Sequence, residues 1–66
     1  MTKELNLHGV KHEDVDRIVE NFVLLNNPPL TIITGNSQKM SEMVREVLVR
    51  HNLHFEHWTN SVWKVL

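Results

Sequence analysis

The chain has 66 residues, a net charge of -1 with histidines neutral, and no cysteine. That length excludes a second domain, and a domain so small buries only about 60% of the surface its unfolded chain would expose. The charge argues against a nucleic-acid binder that works by bulk basicity, and the missing cysteines exclude disulfides and thiolate metal sites.

Residues 4 to 14 read ELNLHGVKHED. Leu5 and Leu7 alternate around Asn6, the pattern of a short half-buried strand. Gly9 supplies a turn because it adopts positive φ at little cost. His8 is not needed for that turn, and a histidine at a strand exit is a candidate for chemistry. Residues 12 to 26 predict a helix. Val15, Ile18, Val19, Phe22 and Leu25 form its apolar stripe, and Glu13 and Asp14 occupy the first turn, where carboxylates favour the dipole. Pro28 and Pro29 cannot continue it.

Leu30 to Thr34 is short, β-branched and apolar, so it predicts an interior strand ended by Gly35. Residues 38 to 51 predict a second helix with its stripe on Met40, Met43, Val44, Val47, Leu48 and His51. Ser37 or Asn36 caps it, and Asn52 suits its exit. Residues 53 to 58 and 62 to 66 flank Thr59, Asn60 and Ser61, which predicts a hairpin with a three-residue loop. Phe55 then faces Val65, His57 faces Trp63, and Glu56 faces Lys64. Trp63 is expected in the core and Trp58 packed at the rim, with base stacking as the sharper alternative. Met40 and Met43 read as core. His54 and His57 point to opposite faces of one strand, so no zinc site is expected. No apolar run approaches the roughly 20 residues of a membrane span and the amino end lacks a signal-peptide core, so a cytoplasmic protein without membrane contact is expected.

The order is βαβαββ, an α/β two-layer sandwich in one domain over residues 1 to 66. The first two strands, joined through a helix, should run parallel with a right-handed crossover, so both helices cover one sheet face and leave the other open. His8-Gly9 and Thr34-Gly35 then end neighbouring parallel strands at the sheet edge where open α/β sheets gather ligands. The amino ends of both helices point there, which suits phosphate. His8, Lys11, His12, Asn36, Ser37 and Lys39 can all reach that edge.

LNLHG resembles the L-D-L-H-G signature of the Smr (small MutS-related) domain, and IITGNSQKM resembles that family's second signature, a strand ending in H-G-x-G or T-G-x-G before a helix. The resemblance covers nearly the whole chain. It implies a four-stranded mixed sheet of order 1-2-4-3, similar to the C-terminal domain of translation initiation factor three. It also implies DNA or RNA as partner and, in several members, endonuclease activity. Carried over, His8 matches the signature histidine, Gly9 its glycine, and Thr34 and Gly35 the start of the second motif. Together with residues that reach the same edge, they make the expected phosphate-binding set His8, Gly9, Lys11, Thr34, Gly35, Asn36, Ser37 and Lys39, with His8 as the catalytic candidate.

Two positions depart from the family pattern. Asn6 stands where aspartate is usual, which keeps an acceptor but loses the charge that could orient an imidazole or hold Mg²⁺ or Mn²⁺. Ser37 stands where the last glycine is usual, which trades close backbone approach for a better cap. Binding with weak or absent cleavage is the expectation. A dimer or protein-interaction module, using the open sheet face or the edge strand at residues 53 to 58, is the alternative.

Overall fold

The computed structural model describes residues 3 to 66. Its elements are β1 (Lys3–Asn6), α1 (His12–Leu25), β2 (Leu30–Ile33), α2 (Gln38–Arg50), β3 (Phe55–Thr59) and β4 (Val62–Val65). The sheet order is β1-β2-β4-β3. β1 runs parallel to β2, and β4 runs antiparallel to both β2 and β3. Both crossovers therefore connect parallel strands while stepping the same way across the sheet. A right-handed connection each time puts α1 and α2 on one face.

Register assigns the two faces. Leu5, Ile32, Trp63 and His57 form one row across the sheet, and Leu30, Val65 and Phe55 lie in the next row on the same side. This side meets Val15, Val19 and Val23 of α1 and Met40, Val44, Val47 and Leu48 of α2 in a single core. The other side carries the row Glu4, Thr31, Lys64 and Glu56 and, beside it, Asn6, Ile33 and Val62. Neither α1 nor α2 covers that side.

The first helix stripe differs from expectation at one end. Leu25 is 80% exposed, whereas Val23 is buried. At about 100° per residue, Leu25 lies roughly 120° round the helix from Val19, while Val15, Val19 and Val23 repeat every four residues along one line. In α2, Ser37 caps the helix, its Oγ accepting from the Met40 N–H at 3.1 Å. Asn52 ends it with φ +56. The Leu53 N–H reaches the Leu48 carbonyl and the Asn52 N–H reaches the Val49 carbonyl, both at 3.0 Å. These are the two bonds of a Schellman motif, with asparagine in the left-handed position.

The hairpin has the expected register by a different device. Phe55 pairs with Val65, Glu56 with Lys64 and His57 with Trp63, but Thr59 pairs with Val62. The turn is thus Asn60-Ser61, and Trp58 and Thr59 together oppose Val62 as a β-bulge. The extra residue restores the register that a two-residue turn alone would shift. Between the helices, the Arg50 guanidinium meets Asp16 and lies 3.6 Å from Glu20, and His51 Nε2 lies 3.3 Å from Glu20. The bond to Asp16, ahead of the nearby charges of Asp16, Glu20 and Glu46, holds the Arg50 pKa above its ordinary value.

Candidate functional site

The two glycine turns stand side by side at the carboxyl ends of β1 and β2. Asn6 pairs with Ile33 in the last rung of the ladder. One residue further on, the Leu7 N–H donates to the Ile33 carbonyl at 2.9 Å. The chain then reverses, the Val10 N–H returning to the Leu7 carbonyl at 3.0 Å, with Gly9 at φ +83. That value belongs to the third position of a type II turn, where a side chain is strained. Gly35 at φ +69 sets the companion turn. An added Cβ would meet nothing within 4 Å at either glycine, so conformation, not space, selects glycine there.

The motif side chains divide into builders and free groups. Asn6 Oδ1 accepts from the His8 backbone N–H at 2.9 Å. It thus holds the turn. Among the described residues the His8 ring makes no hydrogen bond, and His8 is exposed. Thr34 is buried, and its hydroxyl is taken up locally, with the Gly35 and Ser61 carbonyls at 3.1 and 3.2 Å. Thr34, expected in the phosphate-binding set, commits its hydroxyl proton to these carbonyls and so positions the loop. Ser37 spends its oxygen on the Met40 N–H, and so occupies one donor of the helix end. The Gln38 and Lys39 N–H groups keep no partner among the described residues.

The two helix amino ends differ. α1 begins at Lys11 without a side-chain cap, but Glu13 and Asp14 crowd its first turn. α2 has no acidic residue in its first turn and carries exposed Lys39 there. An anion is therefore favoured at α2 by the dipole and opposed at α1 by two carboxylates. Lys11 and His12 stay exposed at the edge, as do His8, Gly9 and Asn36.

One wall of the site was not expected. The hairpin tip folds onto the β2–α2 loop. The Thr34 N–H donates to the Ser61 carbonyl at 2.7 Å, and Ser61 Oγ donates to Asn36 Oδ1 at 3.1 Å. Thr59 Oγ1 accepts from the Ser61 N–H, which sets the tip. Only the order β2-β4 brings Ser61 to Thr34, and Thr59, Asn60 and Ser61 had read as plain loop residues. A small polar tip at the end of a central strand is the one signal the sequence offers.

On the open sheet face, Lys64 Nζ donates to Thr31 Oγ1 at 2.9 Å and lies 4.6 Å over the Trp58 ring. Trp58 is 63% exposed, so it does not pack at a rim as expected. It follows His57, which faces the helices, so strand alternation puts it on the uncovered side. No group of three His, Asp or Glu side chains among the described residues could hold a metal ion. The glycine-turn edge offers an imidazole, amides and hydroxyls, a donor set that suits Mg²⁺ and Mn²⁺ poorly. No helix of the described residues is long and apolar enough to cross a membrane.

No protein-family model, curated protein or solved structure matches the chain.

Proposed function

We propose that this chain is a nucleic-acid-binding domain of the Smr kind, with its phosphate site at the amino end of α2 and the adjoining β1 turn. The observation that carries the reading is the pairing of Leu7 with Ile33, which sets the His8-Gly9 and Thr34-Gly35 turns beside a helix end free of carboxylates. The backbone N–H groups of Gln38 and Lys39, the Lys39 ammonium and the exposed His8 ring supply donors to a phosphodiester. With a net charge of -1, affinity comes from this local site and falls with salt according to the few contacts made.

The same residues support binding over cleavage. Asn6 carries no charge and its oxygen serves the His8 backbone, so position 6 supplies no carboxylate to orient the imidazole. Asn6→Asp should preserve the turn, since a carboxylate accepts the same N–H. It should also raise whatever nuclease activity exists, and His8→Ala should remove it. Binding should fall only modestly in His8→Ala, because the end of α2 remains. The test is fluorescence anisotropy and cleavage with labelled single-stranded and structured RNA and DNA, at low and high salt, with and without Mg²⁺ or Mn²⁺. Salt-sensitive binding with little cleavage supports the proposal. Robust cleavage that survives His8→Ala removes His8 from the chemistry.

A second reading has its own observation. Trp58, 63% exposed on the uncovered sheet face that also carries Ile33 and Val62, suits a protein partner or a second copy of the chain. Concentration-dependent mass without salt-sensitive binding would favour it.

A further inference from the structure

A groove between α2 and β3 lies beside the proposed phosphate site. Two adjoining cavities of about 400 and 430 Å³ share Gln38, Ser41 and His57. The second opens at Asn36 and Asn60, next to the hairpin tip, and the first runs on to Phe55 and Arg45. Resting on the phosphate site proposed above, we infer that this groove receives an unpaired base of a single-stranded nucleic acid.

The floor is built for stacking. Trp63 is buried, and its Nε1–H donates to Ser41 Oγ at 2.9 Å, which fixes the indole. The His57 ring lies on it with centroids 4.0 Å apart and planes 5° from parallel. Phe55 meets the same indole edge-on at 5.4 Å. His57 is exposed and lines both cavities, with one ring face on Trp63 and no second ring stacked on the other among the described residues. A planar ring held by a fixed neighbour presents a stacking surface at little entropic cost, and histidine is among the side chains on which unpaired bases stack.

The rim supplies polar groups that read a base edge. Gln38 and Asn60 are exposed amides, each a donor and an acceptor. Asn36 engages its oxygen with Ser61 and keeps its NH₂. The charges of the groove fit a base flanked by phosphates. At one end stand the α2 amino end and Lys39. Arg45 stands about 10 Å further along the helix, at 1.5 Å per residue from Gln38. The carboxylate between them, Glu42, can accept from an exocyclic amino group.

The experiment uses Trp58→Phe, which leaves Trp63 as the only tryptophan and places the fluorophore in the groove. A short single-stranded DNA oligonucleotide and its abasic counterpart with the same phosphates are titrated against it. The base-bearing strand should quench Trp63 and bind about tenfold tighter than the abasic one. His57→Ala should erase that tenfold difference, and His57→Phe, which keeps a ring on Trp63, should retain most of it. Equal affinity for the two strands overturns the groove as a base site while leaving the phosphate site intact. A base preference untouched by His57→Ala, or lost with Trp58→Phe alone, moves the base elsewhere and also overturns it. Binding of neither strand overturns this inference and the phosphate site together.

Discussion

Replacing Gly35 isolates the cost of the turn from every contact around it. The residue sits at φ +69, and an added Cβ would meet no atom within 4 Å. Gly35→Ala should therefore destabilise by backbone conformation alone, about 1–2 kcal/mol. Unfolding entropy near 2.1 cal/mol/K per residue gives this chain about 140 cal/mol/K, so the melting temperature should drop by about 7–14 °C. Gly35→Asn should cost less, because asparagine tolerates the left-handed region, and Gly35→Val more, because a β-branched residue does not. Urea unfolding followed by circular dichroism should show the midpoint moving with an unchanged slope. An Ala variant as stable as the parent, or a Val variant no worse than Ala, would refute the reasoning and imply that the loop takes another conformation.

The indole–hydroxyl bond should be visible as coupling. Ser41→Ala leaves the buried Trp63 N–H unpaired and should cost about 1–3 kcal/mol, while Ser41→Ala combined with Trp63→Phe should cost less than the two single changes added together. Urea midpoints of the four chains give the coupling, and strict additivity would deny the bond. Removing residues 62 to 66 should abolish cooperative unfolding, since β4 lies between β2 and β3 and carries buried Trp63 and Val65; a truncated chain that still melts sharply would contradict the sheet order. Ser37→Ala should cost about 1 kcal/mol through the lost cap, and Ser37→Asp should recover it, read by thermal melting.

Much of the fold was legible because local signals agreed. The β-branched run Thr31 to Ile33, the glycines after each parallel strand, Ser37 before α2 and Asn52 after it each point to the observed structure. Strand order was expected only from a resemblance, since periodicity alone does not say that β4 inserts between β2 and β3. What stayed hidden depends on tertiary placement. Leu25 continues a sequence spacing but leaves the buried line of α1, so spacing without angle misassigns it. The bulge at Trp58 and Thr59 combines a two-residue turn with a three-residue register. At the site, the glycines and the cap were readable. The roles of Asn6, Thr34 and Ser61 were not, because each is a side-chain-to-backbone bond or a contact across 27 residues.

The measurement that tests the central claim most directly is a titration of the ¹⁵N-labelled chain with a short single-stranded oligonucleotide, followed by backbone amide shifts. The hairpin tip is bonded to the β2–α2 loop, so it should report with that loop. The account predicts the largest shifts at Gly9, Gly35, Asn36, Gln38, Lys39 and Ser61, diminishing as salt is raised. Shifts confined to Glu56, Trp58, Val62 and Lys64 would place the ligand on the open sheet face and contradict it.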